Sequence, residues 1–203
     1  MPEREDVADL LSKCVSLERD SPERAEKAAR LKSGVQNGAT NLLQLVVLME
    51  KYLTANDDSV RAQGVALLAE IVSSGVKLSS SEQQHLADFF TSRFADWASL
   101  NGALAGCQAL LDGEPDEEIV CLVAESLTME LHIQQHKQAD RQLALKLLLK
   151  LISDWGSTLV LSAHMSVLDA TIAAVDGEKD PRCLMLAFEC VAVIQTGGMS
   201  SYT

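Results

Sequence analysis

One recurrence constrains this chain more than any other feature. Stretches whose apolar residues fall at helical spacing come in pairs. The second member of each pair begins near Asp57, Ala98, Ala139 and Asp180, each 41 residues beyond the one before. In the first pair, Asn41–Thr54 places Leu42, Leu45, Val46, Met49 and Leu53 on one face, and Val60–Ser74 carries Val60, Gly64, Leu67, Leu68, Ile71 and Val72. Three further pairs follow: Glu82–Phe94 with Leu100–Leu111, Glu117–Leu131 with Asp140–Asp154, and Leu159–Val175 with Pro181–Gln195. The breaks are turn-forming: Asn56-Asp57-Asp58, Ser79-Ser80-Ser81, Asp112-Gly113-Glu114-Pro115 and the segment around His136-Lys137-Gln138.

An amphipathic helix pair has an apolar face it cannot bury alone. Stacking similar pairs at a step of about 40–47 residues makes one continuous core, which is the sequence mark of HEAT and armadillo arrays. The segment Asp57-Asp58-Ser59-Val60-Arg61-Ala62-Gln63-Gly64-Val65-Ala66-Leu67-Leu68 resembles the turn and second helix of a HEAT repeat. Its aspartate suits a helix N-terminus, where orphan amides and the dipole favour an anion. Its small residues permit close helix approach. The expected fold class is therefore all-α: an α-solenoid of HEAT-like helix pairs, about four repeats, with an N-terminal helical cap. The expected organisation is helices of the cap over 1–37, repeats over 38–195 and a disordered tail over 196–203. An ordinary compact helical bundle is the competing fold. The paucity of aromatics (4%) and prolines (4 residues) fits a helical chain, and 47% apolar residues suffice for a core.

Charge narrows the partners. A formal net charge of −12 repels the nucleic-acid backbone and anionic membrane surfaces, so no direct nucleic acid and no membrane are expected, and the charge fits a binder of basic partners. No stretch of about 18 uninterrupted apolar residues occurs, and MPEREDVADLL has no signal-peptide core. The five cysteines, Cys14, Cys107, Cys121, Cys183 and Cys190, form no CxxC pair and read as reduced, intracellular thiols.

Candidate chemistry is sparse. His132 and His136 fall four apart, which on an α-helix would align two imidazoles, but the glutamate of HExxH and a third ligand are missing. Cys183 and Cys190 lie two helical turns apart, better suited to core packing than to one ion. Gly102-Ala-Leu-Ala-Gly106 has the spacing of close helix packing. No phosphate-binding glycine loop and no nucleophile–base motif is present, so the expectation is no enzyme, no catalytic, cofactor-binding or metal residues, and no cofactor. An enzyme using His132, His136 or a cysteine would instead contain bound metal. Asp176-Gly-Glu-Lys-Asp180 gathers three carboxylates, but not at the spread of a calcium loop. With Gly177 in a left-handed turn, Asp180 as a cap and Pro181 at the first helical position, it reads as the turn inside a fourth repeat.

Beyond the repeat pattern, DGEKDPRCLMLAF resembles a segment of the HEAT-repeat DNA repair and transcription family named for methyl-methanesulfonate sensitivity, most closely its plant-type members. So do TNLLQLVVLMEKYL with VRAQGVALLAEIV, FFTSRFADW with GALAGCQALL, and ADRQLALKLLLKLI, in the same order, from about Thr40 to Ile194. The family's proteins are much longer, so this chain would correspond to their N-terminal segment. The end, Gln195-Thr-Gly-Gly-Met-Ser-Ser-Tyr-Thr203, departs from the family's continuation, and Leu184, Ala187, Phe188, Val191 and Ile194 are expected to lie uncovered on the last helix. The resemblance implies a non-catalytic scaffold: the targeting subunit of cytosolic iron–sulfur protein assembly, which delivers clusters to apo-proteins of repair, replication and transcription. Implied partners are the other subunits of the targeting complex, client helicases and polymerases, and subunits of a transcription and repair factor, in nucleus and cytoplasm. An unrelated helical-repeat adaptor, of transport or phosphatase-scaffold type, is the alternative.

Overall fold

The structure is a computed structural model that describes residues 6–161, 173 and 176–199. Among the described residues there is helix and no strand. The helices are α1 (Val7–Ser16), α2 (Pro22–Gln36), α3 (Leu42–Leu53), α4 (Asp58–Val72), α5 (Ser80–Ser92), α6 (Leu100–Asp112), α7 (Glu117–Glu125), α8 (Gln138–Leu161) and α9 (Pro181–Met199). Polar side chains start several of them. Asp6, Ser21, Asn41, Asp57 and Ser79 each accept a backbone N–H of the first turn, and Ser79 closes a capping box with Glu82.

The stacking is that of an α-solenoid. Helices α3 and α4, α5 and α6, and α7 and α8 pack as pairs. One layer is the row α4, α6, α8, α9, and α5 packs on α7 in the other. Row helices begin at residues 58, 100, 138 and 181, so the even step read from sequence resolves into 42, 38 and 43 residues. A single apolar cluster runs from Leu10 to Cys190, with Leu45, Leu67, Leu100, Leu104 and Leu145 fully buried in it. Leu67 and Leu147, expected on core faces, are both buried. At the N-terminal end α1 and α2 pack on each other and on α4. Arg24 of α2 reaches Glu70 of α4 at 2.9 Å and the Cys14 carbonyl at 3.2 Å. The outward residues of α2, Glu23, Glu26, Arg30 and Ser33, are exposed and polar. That is the kind of face a terminal repeat needs in water.

Close approach between α4, α5 and α6 depends on two glycines. A Cβ at Gly102 would sit 2.8 Å from the Ala66 nitrogen, and one at Gly106 would sit 2.4 Å from the Phe90 ring. The GxxxG spacing thus serves helix packing.

Three local readings change. First, the helix expected over Glu117–Leu131 ends at Glu125 and opens into a π-turn, Ser126–Glu130. The Thr128 hydroxyl donates to the Ala124 carbonyl at 2.8 Å across this change of helix type. Second, the break expected between Asp154 and Leu159 is absent, since α8 runs through Gly156 to Leu161. Lys150 bridges Asp154 at 2.8 Å along this stretch, and Leu159 is buried, so local support outweighs the roughly 1 kcal/mol that a mid-helix glycine costs. The helix expected over Leu159–Val175 otherwise lies largely outside the described residues. Third, α9 continues past Gln195 to Met199, so 196–199 of the expected tail are helical, and 200–203 lie outside the described residues. Of the face expected to be uncovered on α9, Ala187 is buried and Leu184, Val191 and Ile194 are half-buried. Phe188 is exposed, as is Met185.

Candidate functional site

The polar chemistry of the molecule gathers where the turns between paired helices stack. Arg61 is the fourth residue of α4. It donates to both carboxylate oxygens of Asp96, in the next repeat's turn, at 2.6 and 3.0 Å. It also binds Asp58 at 2.7 Å and the Ala55 carbonyl of its own turn at 2.7 Å. Arg141 is the fourth residue of α8 and repeats the arrangement 80 positions later. It binds both oxygens of Glu178 at 2.8 and 2.9 Å and the His136 carbonyl of its own turn at 2.9 Å. Between these two clamps an amide-to-carboxylate hydrogen bond, Asn101 Nδ2 to Asp140 Oδ1 at 3.1 Å, joins α6 to α8, and the Lys137 ammonium lies 5.4 Å from the Trp97 ring centre.

The guanidinium partners set the electrostatics. Hydrogen bonds from Arg61 hold the Asp96 carboxyl at about 2, well below its ordinary range, against the opposing effect of burial. Bonds from Arg141, helped by the Lys179 and Asp180 amides at 2.9 Å each, hold Glu178 at about 2. Both acids are therefore ionised at neutral pH, and both are committed to joining neighbouring repeats.

DGEKD thus divides its labour. Gly177 takes φ 77°, the left-handed turn that glycine accepts without a Cβ penalty. Asp180 accepts from the Arg182 and Cys183 amides at 3.0 and 3.3 Å and caps α9. Glu178, which the sequence did not single out, is the buried clamp. The signal for it was an arginine at the same helix position in two repeats, Arg61 and Arg141.

The other residues considered for chemistry are dispersed. His132 is exposed and precedes a 3-10 turn, Ile133–Gln135, while His136 follows that turn, so the two do not share an α-helical face. Cys183 and Cys190 are both buried. Burial pushes the Cys190 thiol up to about 11, and burial with the nearby Glu178 and Asp180 charges raises that of Cys183. Among the described residues no three His, Cys, Asp or Glu side chains are grouped to hold a metal ion. No helix among them is long and apolar enough to cross a membrane. What the surface offers is apolar contact: Leu43, Val47 and Leu48 stand exposed on α3, beside the exposed Trp97 and Met129 elsewhere. Sequence periodicity had placed none of these three α3 residues on the core face, but it had not read them as a surface.

Residues 46–199 match the sequence family described as Dos2-interacting transcription regulator of RNA-Pol-II. The chain is similar to the MMS19 nucleotide excision repair protein homolog of Arabidopsis thaliana, with 32% identity over 96% of this chain and 18% of the relative. It is also similar to the homolog of Danio rerio, with 29% identity over 80% of this chain and 16% of the relative. The DNA repair/transcription protein mms19 of Schizosaccharomyces pombe is 27% identical over 88% of this chain and 18% of the relative. The chain thus spans less than a fifth of the length of these relatives. A match over most of its residues, together with the stacked helix pairs, means that the chain belongs to the MMS19 family of DNA repair and transcription proteins.

Proposed function

We propose that this chain is a non-catalytic protein-binding scaffold, the N-terminal helical-repeat part of an adaptor that delivers iron–sulfur clusters to apo-proteins of DNA repair, replication and transcription. The observation that supports the scaffold reading is the placement of its ion pairs. Arg61–Asp96 and Arg141–Glu178 bridge one repeat to the next and fix a continuous surface, instead of converging on a substrate. The cluster is cargo in this reading, handled by the assembly and not ligated by this segment. The delivery role itself rests on the family resemblance. Its partners are the targeting-complex subunits and client helicases, polymerases and repair-factor subunits, met in the nucleus and the cytoplasm.

Affinity purification of a full-length protein containing this segment tests the proposal. Co-purification of cytosolic iron–sulfur targeting subunits and of client helicases is the expected result. Capture of neither would overturn it.

A further inference from the structure

At the edge of the stack opposite the two arginine clamps, the loops that join one repeat to the next border a groove of about 680 Å³. Its walls are the α4–α5 loop with the start of α5, and the end of α6 with the α6–α7 loop. Ligand clefts run from about 300 to 1,000 Å³, so the groove admits a few side chains and not a domain.

The floor is apolar. Val72 and Leu110 are buried, and Val76, Leu78 and Ala109 are half-buried against the core. The rim is acidic on one side. Asp112, Glu114 and Asp116 line it, Glu117 and Glu118 follow, and all five are exposed. Among the described residues only Asp112 of these acids has a cationic partner, Lys150 at 3.2 Å. The lining cation, Lys77, stands in the other loop.

Local structure uses only part of this charge. Glu117 and Glu118 lie in the first turn of α7, where the helix dipole favours them. The start of α5 is satisfied by the Ser79–Glu82 capping box. Asp116 differs. It holds the N-cap position of α7 but makes no side-chain cap bond, unlike Asp6, Asp57 and Asp180 in the same role. Glu114 is tied to the other wall through its backbone, where its carbonyl accepts from Gln83 Nε2 at 3.4 Å, and its carboxylate is left to the groove. The C-terminal ends of α4 and α6 also border the groove. They carry partial negative charge, and neither has a basic residue in its last turn.

We propose that this groove binds a short basic segment of a protein partner, with an aliphatic side chain on the floor and a lysine or arginine against Glu114 and Asp116. Charge complementarity argues for this occupant. The apolar floor argues against a polyamine or other purely ionic ligand. The inference rests on the scaffold reading but not on cluster delivery, and it names the chemistry that one site on the scaffold selects.

Fluorescence anisotropy of the whole chain with a short labelled peptide of alternating leucine and lysine tests it. Saturable binding is expected, weakening as salt rises, with new amide-exchange protection at residues 72–83 and 109–118. A serine–lysine peptide of equal charge should bind about tenfold more weakly, since it brings nothing apolar to the floor. Glu114→Lys should weaken the leucine–lysine peptide by about tenfold and leave the melting of the chain unchanged, because that side chain is exposed. Ala109→Gln, which fills the floor with a polar side chain, should weaken it as well. Glu50→Lys, an equal charge reversal on the exposed face of α3, should not. Equal affinity for the serine–lysine peptide, or an equal loss with Glu50→Lys, would show a general charge effect and overturn the proposal. So would protection confined to other parts of the chain, or no binding. The scaffold reading survives each of these results and falls only if the full-length protein captures neither targeting subunits nor clients.

Discussion

Glu178→Ala is the sharpest probe of how one repeat holds the next. The Glu178 side chain is 1% exposed and the Arg141 side chain 17%. The substitution removes two charge-assisted bonds to Arg141 and two backbone amide bonds within the turn. It also leaves the guanidinium largely buried without a counter-ion. Breaking a buried pair by removing one partner costs about 3–5 kcal/mol, and the residual exposure of Arg141 reduces this to roughly 3 kcal/mol. That corresponds to roughly a 150-fold rise in the equilibrium constant for opening α9 from α8, at about 1.4 kcal/mol per tenfold. Amide exchange read along the chain is the assay, because a repeat stack opens locally at its interfaces. The loss should be concentrated in α9 and fade toward α4. Its pH dependence has a defined sign. Glu178 is held at about 2 in the folded chain against an ordinary 4.5. The unfolded state therefore binds more protons between these values, and the stabilisation is full above about 4.5 and lost as pH falls toward 2. The difference between Glu178→Ala and the parent should shrink over that window. A loss below about 0.5 kcal/mol at pH 7, the range of an exposed pair, would refute the reasoning.

Other perturbations test other levels of the account. Gly102→Ala drives a methyl toward the Ala66 backbone, which cannot rotate away, and should lower stability by about 1–3 kcal/mol in denaturant unfolding. A near-neutral result would mean that α4 and α6 are not in this register. Leu67→Asp and Leu147→Asp each place a charge in the continuous core and should abolish the cooperative thermal transition of the repeats around them. Unchanged melting of both would contradict the helix pairing. Four thiols, Cys14, Cys107, Cys183 and Cys190, are buried, and burial raises the pKa of each. Alkylation at pH 8 should therefore modify the half-buried Cys121 first and the other four only on unfolding. Rapid native labelling of Cys107 would be incompatible with the α6 packing described.

Much of the fold was legible because it depends on short-range signals. Apolar spacing, aspartate caps and the forty-residue step all act within one helix pair, and stacking follows from the face each pair leaves uncovered. What escaped is what depends on neighbours. The π-turn at Ser126–Glu130 leaves no signal in apolar periodicity. The apparent break after Asp154 was overridden by Lys150, which faces both Asp154 and Asp112 of α6. The role of Glu178 is set by an arginine 37 residues upstream, so within its own segment it was indistinguishable from the other two acids of the turn. The histidines, already discounted as a metal site, had a meaningful spacing only on an α-helix, and none forms there.

Direct binding of the purified chain to an immobilised apo-helicase of the iron–sulfur class, with parallel metal analysis of the chain, tests the scaffold claim most directly. Saturable binding is expected, with no stoichiometric iron or zinc in the chain. Absence of binding to any such client, together with a stoichiometric metal ion, would contradict the scaffold reading and return the question to chemistry.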